Sequence, residues 1–271
     1  MAAPCRCARS RAWLALGWSI SSWLIAVHAS AATPTLHYEV IARYAHPDSA
    51  FTQGLELSGD TVYESSGLYW HSYIAAWPLQ TQTLTHKKAL AYSVFGEGLT
   101  LWRERIYVLT WREQRGFIFD KNTLKKLGEF SYSGEGWGLT HTEHALIMSD
   151  GTDTLRYIDP QTLRVEKTVS ICEDGTPIDN LNELEWIPAH DNQPARLLAN
   201  IWQSDAIAAI DTESGRVTAR IDLSKLYPNT TRGTHADVLN GIAFDPRDQT
   251  LLITGKFWPY LYRIRLLDAL P

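Results

Sequence analysis

The chain has little positive charge and no basic run. Its 271 residues include 25 Lys and Arg against 30 Asp and Glu, which gives a net charge of −5. Proteins that bind nucleic acids usually carry clustered Lys and Arg that neutralise phosphates. We therefore expect no nucleic acid among the partners of this protein.

Long apolar stretches are also scarce, and the one that is present lies within the N-terminal 31 residues. Arg6, Arg9 and Arg11 precede an apolar run that ends at Val27, and a small-residue cleavage motif ends at Ala31. This order is typical of a secretory signal peptide, and the run is short for a membrane span. We predict a signal peptide at 1–31 and an exported protein, periplasmic or secreted, with no membrane anchor after cleavage. An uncleaved anchor is the alternative.

The common signatures of hydrolases and metal sites are missing. The Cys and His residues form no set with zinc-ligand spacing, and there is no G-x-S-x-G nucleophile elbow. The segment His141-Thr-Glu-His144 does not match H-E-x-x-H. A glycine-rich stretch at 134–138 leads into a strand pattern rather than a helix, which argues against a phosphate loop. We expect no catalytic metal.

Tryptophan, by contrast, is abundant, with 11 residues in the chain. A core needs few tryptophans, because each buried indole N–H requires a hydrogen-bond partner. The excess suggests that some indoles form a ligand-binding surface.

One short element recurs along the chain, a polar or aromatic residue followed by a small or acidic residue and an aliphatic one. Its five copies are Gln53-Gly54-Leu55, Glu97-Gly98-Leu99, Trp137-Gly138-Leu139, Asn182-Glu183-Leu184 and Asn240-Gly241-Ile242. The steps between copies are 44, 40, 45 and 58 residues. Further strand-like segments and Asp/Asn/Pro/Gly turns follow each copy. Four short strands per unit of this length are typical of a propeller blade.

We therefore predict an all-β fold, a five-bladed β-propeller of four-stranded antiparallel blades that spans residues 36–271. The last unit ends near Leu266 without a fourth strand, and the N-terminal strand at 37–44 has no unit of its own. We expect this strand to complete the last blade and close the ring, which would remove exposed sheet edges.

The repeats also predict a site. The innermost strands of a propeller face its central channel, and the repeated elements are the candidates for these strands. Ring closure would gather several residues near one axis: Gln53, Glu97, Trp137, Asn182 and Asn240, with Trp111, Trp202 and Lys256 in the following strands. One carboxylate, amides, a lysine and several indoles predict a site for a small molecule or a peptide end.

Short motifs along almost the whole mature chain resemble one enzyme family. They include Phe51-Thr-Gln-Gly-Leu55, Phe95-Gly-Glu-Gly-Leu-Thr100, Leu181-Asn-Glu-Leu-Glu185, Ala199-Asn-Ile-Trp-Gln-Ser-Asp205 and Thr254-Gly-Lys-Phe-Trp-Pro259. Together they resemble the plant and bacterial type of glutaminyl-peptide cyclotransferase. The chain departs from the family pattern at Trp70-His71, where the family usually has glycine.

The resemblance implies a five-bladed propeller and an aminoacyltransferase. Such an enzyme converts the N-terminal glutamine of peptides or proteins to pyroglutamate and releases ammonia. The resemblance places the family's catalytic glutamate on Glu97, with Lys256 as a second catalytic group. It places the substrate contacts on Phe51, Gln53, Trp111, Trp137, Asn182 and Trp202.

The chemistry suits these residue types. The substrate amine attacks the carboxamide of the same residue, so the protein supplies no nucleophile but must bring the two groups together. Glu97 could move the proton from amine to leaving nitrogen, and indole walls would raise its pKa. Lys256 could stabilise the oxyanion or orient the carboxamide, and the sequence does not choose.

We expect no cofactor for catalysis and a monomeric enzyme, and we leave open a structural calcium ion in the channel. Two other functions are possible for such a propeller. One is a non-catalytic periplasmic propeller that only binds a ligand. The other is a metal-dependent lactonase-like propeller, with ligands among Glu56, Glu97, Asn182 and Asn240. EDTA would abolish the activity of a lactonase.

Overall fold

The computed structural model describes residues 32–81, 83–191 and 193–271. The predicted signal peptide lies outside the described residues. Among the residues that are described, no helix has the length and hydropathy to cross a membrane.

The regular structure of the described residues consists of short strands. In chain order they are β1 (Thr35–Leu36), β2 (Tyr38–Ala45), β3 (Thr52–Ser58), β4 (Thr61–Ser66), β5 (Tyr73–Pro78), β6 (His86–Ala89), β7 (Gly96–Trp102), β8 (Arg105–Thr110), β9 (Arg115–Asp120), β10 (Lys126–Ser131), β11 (Leu139–His141), β12 (Leu146–Met148), β13 (Thr154–Ile158), β14 (Val165–Ser170), β15 (Cys172–Glu173), β16 (Thr176–Pro177), β17 (Leu181–Ile187), β18 (Arg196–Ile201), β19 (Ala206–Asp211), β20 (Arg216–Asp222), β21 (Leu239–Asp245), β22 (Thr250–Gly255) and β23 (Tyr260–Leu266).

Within the described ranges these strands form five sheets. Four of the sheets have four antiparallel strands each, in the orders β3-β4-β5-β6, β7-β8-β9-β10, β11-β12-β13-β14 and β21-β22-β23-β2. The remaining sheet has seven strands, in which β17-β18-β19-β20 is extended at β20 by β15, β16 and β1. The N-terminal strand β2 pairs antiparallel with the last strand β23. The arrangement is an all-β propeller.

The prediction that the propeller consists of five four-stranded antiparallel blades is wrong, because only four of the sheets in the described part of the chain have that form. In the seven-stranded sheet, β1 and β15 both run parallel to β20. The N-terminal segment therefore contributes to two sheets, not one. These extra strands are two residues long and carry no alternating pattern that a sequence could reveal.

A salt bridge holds one of the extra strands, β15, on β20. The Arg220 guanidinium donates two hydrogen bonds, of 2.7 and 2.6 Å, to the carboxylate of Glu173. Such bidentate pairs are among the stronger hydrogen-bonded contacts in proteins. The added strands also cover an edge that would otherwise present unpaired backbone groups to solvent.

Neighbouring sheets are joined at their innermost strands β3, β7, β11, β17 and β21. The Gly98 amide donates to the Trp137 carbonyl (2.7 Å), and the Ser149 hydroxyl donates to the Asn182 carbonyl (2.7 Å). The Asn240 amide group donates to the Thr52 carbonyl (2.9 Å), which links β21 back to β3. The polar residues of these strands therefore lie around one channel.

Glycine allows the innermost strands to approach each other closely. A Cβ atom added to Gly54 would overlap the backbone nitrogen of Leu99. One added to Gly138 would overlap the backbone oxygen of Asn182. The equivalent position on β17 is Glu183, whose buried side chain bonds the amides of neighbouring strands. Glycine is thus a packing requirement at Gly54 and Gly138 but not at every equivalent position.

The apolar core lies between successive sheets. For example, Tyr63 and Ile74 of one sheet pack against Leu99, Val108 and Phe117 of the next. Similar clusters fill the spaces between the other sheets. This packing holds the innermost strands in fixed positions, and the site depends on it.

Candidate active site

One cavity opens at the end of the channel where the innermost strands begin. Its volume is about 280 Å³. All eight site residues predicted from the sequence line it: Phe51, Gln53, Glu97, Trp111, Trp137, Asn182, Trp202 and Lys256. Phe95 and Asp237 complete the lining.

Bulges in the innermost strands present several of these side chains. The strand pairing skips residues between Thr52 and Gly54, between Gly96 and Leu99, and between Leu181 and Leu184. The skipped residues include Gln53, Glu97 and Asn182. A bulge re-aims a side chain away from the regular alternation of a strand. The local backbone thus turns three polar groups toward one cavity.

Glu97 is the central carboxylate of the cavity and is only 5% exposed. The Gln53 side-chain amide donates a 2.8 Å hydrogen bond to Glu97 Oε1. The Asn240 amide group lies 3.4 Å from Gln53 Oε1 and also binds the Thr52 carbonyl. Asn240 therefore holds Gln53, and Gln53 in turn orients Glu97.

Burial raises the pKa of Glu97 well above its usual value of 4.5. The positive charge of Lys256 opposes this rise, whereas the negative charges of Glu135 and Glu113 add to it. The result is a carboxyl group that can exchange a proton nearer to neutral pH than an exposed glutamate can.

Lys256 enters the cavity directly after β22 and is 5% exposed. Its backbone is tied to the connection before β21, because its amide donates a 2.9 Å hydrogen bond to the Val238 carbonyl. Its ammonium lies over the ring of Phe51, 4.7 Å from the centroid. Burial lowers the pKa of Lys256, and the nearby charges of Glu97 and Asp237 raise it in part.

Three tryptophans form aromatic walls, and Glu135 holds two of them. The indole N–H groups of Trp111 and Trp137 donate to the same oxygen, Glu135 Oε2, at 2.7 and 2.9 Å. Trp202 meets Trp137 edge-on, with ring centroids 5.7 Å apart. The carboxylate of Glu135 therefore fixes the angle between two indoles, one directly after β8 and the other just before β11.

Gly151 makes room for one of these walls. A Cβ atom at this position would lie 2.7 Å from the Trp137 ring, and the φ angle of Gly151 is +81°. Only glycine combines this left-handed backbone with the close approach of an indole.

Asn182 offers a hydrogen-bond acceptor that the described part of the chain does not use. Its side chain is 3% exposed, and its Oδ1 atom has no hydrogen-bond partner among the described residues. Buried polar atoms are rarely left without a partner, since this costs about 1–3 kcal/mol. An N–H or ammonium group of a ligand in the cavity would satisfy it.

Sequence reasoning did not assign Phe95, Asp237 and Glu135 to the site. Phe95 stands in a quoted motif, but no pattern showed that its ring lines the cavity. Asp237 belongs to the long connection before β21 and reaches the cavity only through the path of that loop. The role of Glu135 depends on two indoles that approach it in three dimensions.

The ligand set considered for a lactonase-like metal site is not brought together. Glu97 and Asn182 line the cavity, but Glu56 lies further along the channel, beside His141 and Glu185 in another cavity. There it accepts hydrogen bonds from the Leu101 amide (2.7 Å). The described residues contain no group of three or more His, Cys, Asp and Glu that could hold a metal ion.

Comparison with protein families gives a match over nearly the whole chain. Residues 14–266 match the sequence model of the family described as Glutamine cyclotransferase.

Individual relatives agree with this match. The chain is 42% identical over 235 residues to a glutaminyl-peptide cyclotransferase of Arabidopsis thaliana, which covers 85% of this chain and 72% of the relative. Its fold is similar to the crystal structure of the glutaminyl cyclase of Myxococcus xanthus, with a TM-score of 0.76 and 32% identity. That similarity covers 86% of this chain and 97% of the solved one.

Proposed function

The chain belongs to the glutamine cyclotransferase family, and from this premise we propose that its cavity is the active site, with Glu97 as the general acid and base. The protein is an enzyme that converts the N-terminal glutamine of peptides to pyroglutamate and releases ammonia. One observation carries the assignment of the site: a single buried carboxylate shares an indole-lined cavity with a lysine and two amide side chains.

The reaction joins two parts of the same residue. The α-nitrogen of the glutamine forms a bond to the γ-carbonyl carbon, and a five-membered ring with an oxyanion results. When the carbonyl re-forms, the bond from carbon to the amide nitrogen breaks and ammonia leaves. The protein must fold the flexible side chain back toward the amine, and fixed walls contribute to that proximity.

Glu97 moves the proton in this scheme. Its carboxylate takes a proton from the attacking nitrogen and then gives it to the departing one, so the protein is unchanged at the end. A raised pKa suits both steps, because the group must be a base first and an acid afterwards. The hydrogen bond from Gln53 leaves Glu97 Oε2 available for the substrate.

Lys256 supplies positive charge where the oxyanion develops. The attraction between its buried ammonium and the oxyanion is stronger in the cavity than in water, because the surrounding groups screen the charge little. This assignment selects the oxyanion role from the two that the sequence left open.

The remaining lining residues bind and orient the glutamine. Asn182 Oδ1 accepts a hydrogen bond from the substrate amine or carboxamide. Trp111, Trp137 and Trp202, with Phe51, enclose the methylene groups that become the ring. Apolar walls also exclude water, which strengthens every charge interaction inside the cavity.

We further propose that catalysis needs no metal or other cofactor and that any calcium ion in the channel would be structural. The N-terminal pattern supports export to the periplasm or the medium, with cleavage after residue 31. We propose that the mature enzyme acts as a monomer, since one chain supplies every lining residue of the cavity. Light scattering on the mature protein would test this.

Ammonia release from a Gln-initiated dipeptide amide, measured with and without EDTA, tests the proposal. We expect equal release in both conditions. Release that EDTA abolishes would contradict the metal-independent mechanism. A folded protein that releases no ammonia from any Gln-initiated peptide would be the binding propeller instead.

A further inference from the structure

The active-site cavity is small for a peptide substrate. Its volume of about 280 Å³ lies below the roughly 300–1,000 Å³ of pockets that enclose drug-sized ligands. The cavity is therefore large enough for the terminal glutamine but too small to enclose all the residues that follow it in a longer peptide. Those residues must leave through the mouth and lie on the surface beside it.

Two large exposed aromatic rings stand close in the chain to the cavity wall, because Tyr92 lies three residues before Phe95, which lines the cavity. Trp70 is 70% exposed and Tyr92 is 68% exposed. Their rings stack on each other, with centroids 5.9 Å apart and planes inclined by 25°. Paired exposed aromatic rings form a surface that binds other apolar groups readily.

This aromatic pair is continuous with the cavity wall. Tyr69, the residue before Trp70, meets Phe95 edge-on at 5.5 Å, and Phe95 lines the cavity. The Tyr69 hydroxyl also donates to Glu113 at 2.9 Å. Tyr69 therefore ties the segment that carries Trp70 to the Phe95 wall of the cavity.

The backbone holds the pair in place at some conformational cost. Leu68 and Trp70 have φ angles of +83° and +73°, a region that bulky residues rarely adopt. The Trp70 amide donates to the Tyr92 carbonyl (3.1 Å), and the Ser72 hydroxyl donates to the Leu68 carbonyl (2.7 Å). Strain kept at a tightly bonded position next to an active site points to a functional role.

We propose that Trp70 and Tyr92 form an outer subsite that binds an apolar side chain, preferably an aromatic one, at the second or third residue of the peptide substrate. This inference rests on the proposed function, because it needs a peptide whose first residue occupies the cavity. The subsite sets which peptides are cyclised fastest and takes no part in the chemical step.

The test compares substrates of different length. The probes are a Gln-initiated dipeptide amide with alanine and tripeptide amides with alanine or phenylalanine at the second and third positions. For the wild-type enzyme we expect kcat/KM to be about two- to tenfold higher for the phenylalanine tripeptides. Trp70→Gly and Tyr92→Ala should each remove this preference by lowering kcat/KM for the phenylalanine tripeptides only.

The controls separate this inference from folding and from the proposed function. Glycine suits the left-handed backbone of Trp70, so Trp70→Gly should keep the thermal midpoint of the wild type. Leu127→Ala removes an exposed apolar side chain from the outermost strand β10 and should keep the preference.

Equal kcat/KM for alanine and phenylalanine tripeptides, or an unchanged preference in both variants, would overturn the subsite while cyclisation itself stands. If both variants lose activity on the alanine dipeptide as strongly as on the phenylalanine tripeptides, the pair does not form a separate subsite. Absence of ammonia release from every peptide would instead refute the proposed function.

Discussion

Glu97 and Glu183 lie at adjacent levels of the same channel and have similar electrostatics. They are 5% and 0% exposed, and burial raises the pKa of both well above 4.5. Glu97 lines an open cavity and accepts a side-chain bond from Gln53. Glu183 instead accepts bonds from two backbone amides, those of Leu55 (3.3 Å) and Ile242 (2.9 Å).

The comparison indicates that burial and a raised pKa do not by themselves assign a catalytic role to a carboxyl group. Perturbed pKa values arise in structural networks as well as in active sites. What distinguishes Glu97 is access to a ligand and the convergence of groups with other chemistry. Glu183 instead ties three strands together where glycines occupy the equivalent positions.

The largest expected effect is that of Glu97→Gln. The amide cannot move a proton, so we expect turnover to fall by about 10²–10⁴-fold. The thermal midpoint should stay within a few degrees, because the amide oxygen can still accept the bond from Gln53. Steady-state ammonia release together with a thermal melt measures both. Unchanged turnover would remove Glu97 from the mechanism.

Glu135→Ala should have the next largest effect. The indoles of Trp111 and Trp137 would lose their shared acceptor, so the substrate would be held less well. We expect kcat/KM to fall about tenfold. A tenfold change corresponds to about 1.4 kcal/mol, which is near the contribution of one hydrogen bond to a charged group. Near-ultraviolet circular dichroism should report the change in the indoles. Glu135→Gln keeps an acceptor oxygen, so its kcat/KM should fall less than that of Glu135→Ala. An equal fall in kcat/KM in the two variants would argue against this anchoring role.

Glu183→Gln is the matched control for Glu97→Gln at the other carboxyl group. We expect kcat to stay within about twofold. Below pH 4.5, where the glutamate is protonated in both states, the free energy of unfolding should fall by about 1–3 kcal/mol. The reason is that the amide nitrogen would face a backbone donor. Chemical denaturation checks the stability, and a loss of activity as large as that of Glu97→Gln would abolish the comparison.

The stability difference should shrink as the pH rises. The pKa of Glu183 is higher in the folded than in the unfolded state, so its favourable contribution is complete below 4.5 and is lost as the pH rises toward the folded pKa. The variant lacks this titration, and its stability should depend less on pH. Parallel pH profiles of the two proteins would contradict the raised pKa.

The smallest expected effect is that of Glu113→Gln on the pH profile. The negative charge of Glu113 raises the pKa of Glu97, so its removal should lower that pKa. The acidic limb of the pH profile of kcat/KM reports the ionisation of the catalytic base in the free enzyme. In the variant this limb should move to lower pH. A shift to higher pH would mean that the limb belongs to another group.

Much of the lining of the candidate site could be predicted, because several of its residues occupy the same position in successive sequence repeats. The repeats place Gln53, Glu97 and Asn182 at equivalent points of successive innermost strands, and equivalent points meet at one axis. The repeats also placed Lys256 and three tryptophans near that axis, the motif resemblance gave them roles, and all of them line one cavity.

The remaining features depend on contacts between distant parts of the chain. The parallel strands β1 and β15 were missed because two-residue pairings leave no periodic signal, although Arg220 and Glu173 hold one of them. The anchoring role of Glu135 was also missed, because one of its two indole donors, Trp111, lies 24 residues away in the chain.

The sequence by itself determined the strand-rich repeat and the residue types that meet on the axis, because side-chain order and turn residues are local properties. Only the tertiary structure decided which carboxylate is accessible, which indoles share an acceptor and which sheet gains extra strands. Those outcomes depend on distances of a few ångströms between residues far apart in the chain.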